Sequence, residues 1–253
     1  LYHKMKTSIY TALLSFLAVS IMLGLVGLFF SRGILTGLNT PENILSDAML
    51  YLNIYFVGLP FLFMYNILSS TFNAMGDSRT PLYLLIFSSM LNIGMDLLLV
   101  KGFETGIAGA AVATVFAQGL SALISFSILI HSLKKFETER TSHRCLFDIQ
   151  MLGSMVKIAI PSMLQQSIVS IGMLLVQSVV NGFGSSVLAG YTAGMRIESI
   201  CVVPMIASGN AVSTFTAQNL GAGQGGRIKK GYLAAVRMVA AFAVIIFLAL
   251  TLF

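Results

Sequence analysis

The chain of 253 residues carries 15 Lys+Arg against 9 Asp+Glu, a net charge of +6, yet only 9% of it is charged and 57% is hydrophobic. A soluble domain runs to about 25% charged residues, and a soluble chain with this mean hydropathy of +0.89 would expose large patches and aggregate. Composition therefore excludes a soluble enzyme or nucleic-acid binder and indicates an all-α, polytopic protein partnered by a lipid bilayer.

Seven apolar runs lie near 7–30, 47–73, 81–100, 106–132, 153–181, 187–217 and 228–253. Each can cross the roughly 30 Å hydrocarbon core at 1.5 Å per residue. Breakers divide them: "SRGILTGLNTPEN", "GDSRTP", "KGFETG", "LKKFETERTSHRCLFD", "NGFGSS" and "NLGAGQGGRIKK". In "GDSRTP", Thr80 is placed to cap the following helix, with Pro81 in its first turn. Pro60 and Pro204 fall in mid-span, where membrane helices tolerate kinks. "GAGQGG" fits a dinucleotide-binding pattern formally, but an apolar helix precedes it where a strand is required; it reads as a flexible loop. His3, His131 and His143 show no metal-ligand spacing, and Cys145 and Cys201 form no disulfide framework. No enzyme chemistry and no cofactor is expected.

Basic residues orient the chain. Lys4, Lys6, Arg79, Lys134, Lys135, Arg140, Arg144, Lys157, Arg227, Lys229 and Lys230 lie in one set of loops; Arg32 and Lys101 lie in the other. This positive-inside bias puts residue 1 and the 134–150 loop in the cytoplasm of a multi-pass plasma-membrane protein. "HKMKTSIYTALL" opens like a signal peptide, but its apolar run continues too far for one. The segments 4–30 and 227–253 also overlay without gaps, 223 residues apart. Such an overlay suggests a parallel internal repeat.

The polar residues of the third and fourth runs carry the chemistry. Asn92 and Asp96 are four apart, so they share one helix face. Asp96 lies about 22 Å along its helix from Pro81, in the outer half of the bilayer on the charge-derived orientation. Asn92 and Thr114 are equidistant from Phe103 in the connecting turn, so an antiparallel pair sets them level. Gly109, Ala113 and Ala117, spaced by four, allow close approach. An amide oxygen, a carboxylate and a hydroxyl suit a small hard cation or a proton. For Asn92 or Thr114 alone, interhelical hydrogen bonding is the simpler role; an intramembrane acid is costly and argues for function.

"VGLPFLFMYNILSSTFNAMGDSRTPLYLLIFSSMLNIGMDLLLV", with "GIAGAAVATVFAQ" after it and "LAGYTAGMRIESICVVPMIASGNAVSTFTAQNLGAGQ" further on, resembles the multidrug and toxic compound extrusion (MATE) transporters. The resemblance implies a twelve-helix, two-lobe fold of which this chain holds helices three to nine. Residues 1–133 would form four helices of the amino-terminal lobe, 134–150 the inter-lobe loop, and 151–253 three helices of the second lobe. The remaining helices of the same chain would be partners. It also implies antiport of an extracellular cation, H⁺ or Na⁺, against small organic, cationic cytoplasmic compounds. Asp96, Asn92 and Thr114 match that family's cation site, whose further aspartate lies on a helix absent here. Asn66, Tyr51 and Gln166 are expected to line the cavity. Family branches with a glutamate in helix seven have no counterpart, since 151–181 holds Gln165, Gln166 and Gln177 but no acid.

Two other classes compete with this reading. A lipid-linked oligosaccharide flippase of related fold would show several cationic residues in its spans, where this chain has only Arg196 and Arg237 well inside. A seven-helix receptor or photoreceptor would have to start outside, against the charge bias, and a retinal protein needs a lysine in its last helix, where 231–253 has none.

Overall fold

The computed structural model describes residues 2–37, 42–134 and 146–252. It contains α1 (Tyr2–Gly37), α2 (Glu42–Ala74), α3 (Arg79–Asp96), α4 (Gly106–Lys134), α5 (Ile149–Asn181), α6 (Ser185–Gly221) and α7 (Gly225–Leu252), with a π-helical turn Leu97–Gly102 between α3 and α4. No strand occurs among the described residues, and seven helices are long and apolar enough to cross a membrane. Most of the 134–150 linker, with Lys135, Arg140, His143, Arg144 and Cys145, lies outside the described residues.

The helices run further than their apolar runs suggest. Ser31–Gly37 extends α1 and Asn219–Gly221 extends α6. Polar side chains there turn back onto the helix: Ser31 donates to the Leu28 carbonyl at 3.2 Å, Thr36 to Arg32 at 2.8 Å and Asn219 to Phe215 at 2.7 Å. Helix ends are set by capping rather than by hydropathy. "GAGQGG", expected as a flexible loop, is a tight turn between α6 and α7. The Gly223 N–H bonds the Leu220 carbonyl at 3.1 Å, the Gln224 N–H bonds Asn219 at 2.8 Å, and Gly223 takes φ +68°. This is the left-handed glycine cap that satisfies terminal carbonyls. The α2–α3 turn repeats it, with Gly76 bonded to Asn73 at 3.0 Å and Asp77 to Phe72 at 2.9 Å.

That turn corrects the capping assignment made from sequence. α3 begins at Arg79, before Thr80, and Asp77 is the residue whose side chain serves its first turn. The Asp77 carboxylate accepts the Arg79 and Thr80 N–H groups, each at 3.1 Å, and the Thr80 hydroxyl at 2.6 Å. The Thr80 hydroxyl, then the Thr80 N–H, and lastly the Arg79 N–H and charge hold the Asp77 carboxyl below its ordinary value. Asp148 serves α5 in the same way, accepting from Gln150 at 2.8 Å and Met151 at 3.2 Å. Its own N–H donates to the buried Thr11 hydroxyl at 3.0 Å, tying the start of α5 to α1.

The chain divides into two compact units, Leu1–Lys157 and Ile158–Phe253. In the first, α1 packs on α2, α2 on α4, and α4 on α3. Small residues make these contacts close, as expected where lipid is as apolar as the helices and packing must supply the attraction. A Cβ at Gly24 would stand 2.8 Å from the Phe56 carbonyl oxygen, and one at Gly27 would enter the Phe56 ring. Gly58 lies against the Val115 side chain, and Gly119 lies under the Phe61 ring. Since 58 and 61 meet 115 and 119 in rising order, α2 and α4 run parallel, and α3 returns antiparallel beside α4. At the end that carries Lys4, Lys6, Arg79 and Lys134, buried Ile9, Leu13, Leu68, Phe72, Leu129 and Leu133 form one apolar cluster. In the second unit α6 and α7 pair antiparallel, with Gly231 against the Phe215 ring. Pro204 sits inside α6, where the Ser208 hydroxyl bonds its carbonyl at 2.8 Å.

Candidate functional site

The α3–α4 contact brings the expected amide and hydroxyl together. Asn92 Nδ2 donates to Thr114 Oγ1 at 3.3 Å, and Thr114 Oγ1 donates to the Ala110 carbonyl at 3.0 Å. Gly109, Ala113 and Ala117 are all buried, and a Cβ at Gly109 would lie 3.1 Å from Leu99 Cβ. Close approach of the two helices is therefore built from small side chains on α4.

Asp96 is the last residue of α3, one turn beyond Asn92 on the same face. Its Oδ1 is buried and has no hydrogen-bond partner among the described residues. Buried polar atoms are nearly always satisfied, so a carboxylate oxygen left in this condition stands out as an available ligand. The backbone changes register directly after it. Leu97–Gly102 is π-helical, and the Phe103 N–H bonds the Leu98 carbonyl at 3.0 Å. Both the N–H and the hydroxyl of Thr105 then close on the Leu99 carbonyl, at 3.1 and 2.6 Å. π-Helical turns recur at functional sites, and this one ends the α3 span directly past the acid. The sequence offered no periodic signal for it, because the run stays apolar through Val100.

The residues expected to line the cavity lie on other helices. Asn66 is exposed and bonds its own helix, Nδ2 to the Leu62 carbonyl at 2.8 Å. Tyr51 is exposed on α2, and Gln166 is exposed on α5 in the second unit. Arg196 and Glu198 on α6 and Arg237 on α7 are exposed too.

Two features were missed from sequence. Asn53 on α2 has a buried, unpartnered Oδ1 and lines an apolar groove of about 530 Å³ with Val57, Phe61, Val112, Phe116 and Leu123. Ser121 and Ser125 on α4 are wholly buried, with no partner for either hydroxyl among the described residues. Serine is common in membrane helices, so neither position was distinctive in the sequence.

The α1–α4 unit is built on small residues, with Asp96 one helical turn from the Asn92–Thr114 pair between two spans. The MatE family model matches residues 2–98 and 161–253, and the chain belongs to the MATE family. It is 37% identical to the Bacillus subtilis "Probable multidrug resistance protein YpnP" over 211 residues, 83% of this chain and 46% of that protein. It is 31% identical to "Probable multidrug resistance protein YoeA" of the same organism, covering 90% of this chain and 50% of that one. The solved outward-facing structure of a multidrug resistance MATE family transporter of the MOP superfamily superposes with a TM-score of 0.85 at 21% identity, over 97% of this chain and 55% of that chain. The chain spans about half the length of the curated relatives it matches.

Proposed function

We propose that a chain of family length containing these residues is a cation-coupled antiporter exporting small organic compounds by alternating access. Its relatives' names as multidrug resistance proteins support the substrate class. The observation that carries the coupling is the buried, unpartnered Asp96 oxygen beside the Asn92–Thr114 pair.

In this reading Asp96 is the group that changes charge. An antiporter must give its cation and its substrate different affinities in two conformations, because equal affinity shifts no equilibrium. A carboxylate out of water is costly unless a partner of opposite charge offsets it, which a bound coupling cation would do. Thr114 Oγ1 and the Asn92 amide oxygen supply the neutral oxygens that Na⁺ prefers. The Asn92 N–H to Thr114 bond leaves that amide oxygen free and fixes its direction. The clustered bases at one end of the spans support a cytoplasmic location for that end in a plasma-membrane protein, with the Asp96 site in the outer half. Residues 134–150 join the two lobes, and Asn66, Tyr51 and Gln166 face the central cavity once the remaining helices are in place.

The test is export of a cationic dye from proteoliposomes under separately imposed H⁺ and Na⁺ gradients. Export that follows one gradient supports the reading, and export indifferent to both overturns it.

A further inference from the structure

Thr114, Ser121 and Ser125 lie on one face of α4, since separations of seven and four residues return to the same side of a helix. Many hydroxyls in this chain bond the carbonyl four residues back, among them Thr71 at 2.7 Å, Ser127 at 2.9 Å, Ser154 at 3.0 Å and Ser199 at 2.9 Å, and Ser20 and Ser31 bond the one three back. This back-bonding is the ordinary way to satisfy such a group in a helix. Ser121 and Ser125 do not follow it, although both are 0% exposed and their oxygens are buried.

The neighbouring helix adds to the line. α3 runs antiparallel with Asn92 level with Thr114, so Ser88, one turn before Asn92, stands level with residue 118, between Thr114 and Ser121. Ser88 is buried as well. Four hydroxyls thus descend from the Asn92–Thr114 pair toward the Lys134 end, over about 16 Å from Thr114 to Ser125. The following turns on α4, Leu129 and Leu133, belong to the apolar cluster with Leu68 and Phe72, which closes the line.

We propose that Thr114, Ser88, Ser121 and Ser125 form a hydrated path along which the cation held at Asp96 moves toward the Lys134 end of the unit, as far as the apolar cluster that closes it. The proposal rests on the antiport reading above. Ser121 and Ser125, not committed to their own helix, can each hold a water or offer an oxygen to a cation, and the Ser88 and Thr114 oxygens add to the two to four polar partners that a water needs in a buried site. Spaced hydroxyls bind a cation weakly, as a path requires; a second carboxylate would trap it.

Two measurements test this in a family-length chain, on a background with Cys145 and Cys201 replaced by alanine. Ser121→Cys and Ser125→Cys should react with a small, charged, water-soluble thiol reagent in the membrane-embedded protein at least tenfold faster than Ala122→Cys, which is equally deep in α4 but off the polar face. Equal rates at the three positions overturn the path. This readout needs no transport, so it decides the proposal even if gradient-driven export fails. In the transport assay, Ser121→Ala with Ser125→Ala should slow export about tenfold, the factor that one lost hydrogen bond sets. The cation concentration giving half-maximal rate should not change, because Asp96 is intact, and Ser121→Thr with Ser125→Thr should restore the rate. Wild-type export by the double alanine variant, beside an Asp96→Asn variant that is inactive, would leave the antiport reading standing and refute the path.

Discussion

Asn92 on α3 donates a 3.3 Å hydrogen bond to the Thr114 hydroxyl on α4, across 22 positions of sequence. The bond is long, and Thr114 also donates to its own helix, so its strength is modest. Its value is directional, because it aims the amide oxygen of Asn92. Thr114→Ala should therefore weaken cation dependence by about 1 kcal/mol, or five- to tenfold in apparent affinity. Thr114→Ser keeps the oxygen and should stay close to wild type. The half-saturating cation concentration for export measures both, and an unchanged value in Thr114→Ala would remove the hydroxyl from the site.

Gly58 meets Val115 where the parallel helices α2 and α4 touch. A methyl group there must displace a branched side chain, and overpacking of this kind costs about 1–3 kcal/mol. Gly58→Ala should lower the thermal stability of the protein in detergent, and adding Val115→Ala should recover most of the loss. Independent, additive losses in the two single variants would contradict the close contact.

The turn before α3 should respond to acid. Asp77 is held below its ordinary value of 3.8, first by the Thr80 hydroxyl. A depressed folded-state value means that the carboxylate's stabilisation is present above the unfolded value and fades as pH falls through the folded one. Amide protection of Arg79 and Thr80 should hold down to about pH 4 and decline below it, and Asp77→Ala should abolish the dependence. Protection that is flat with pH would refute the cap.

Orientation is testable at the two ends of α3. Ser78→Cys lies in the turn at the basic end, and Glu104→Cys lies in the turn after the π-helical segment. An impermeant reagent outside intact cells should label the second and not the first. Labelling of Ser78→Cys from outside would invert the topology.

Much of the unit was legible because two rules suffice for it. Apolar length marks a span, and equal distance from Phe103 sets Asn92 level with Thr114 in any antiparallel pair. What stayed hidden depends on backbone register and on side-chain orientation. Nothing in "DLLLVKGF" distinguishes a π-helical turn from an α-helical one. Thr80 and Asp77 are both good caps, and only the fold selects the aspartate. Asn53, Ser121 and Ser125 acquire meaning from burial without a partner, which no spacing encodes.

Asp96 carries the account. Asp96→Asn keeps the volume and most of the hydrogen-bonding capacity while removing the charge that would pair with the coupling cation. The decisive measurement is substrate export from proteoliposomes containing this variant in a family-length chain, under imposed H⁺ and Na⁺ gradients and at matched protein content. The account predicts normal insertion with gradient-driven export abolished; export at the wild-type rate under both gradients would contradict it.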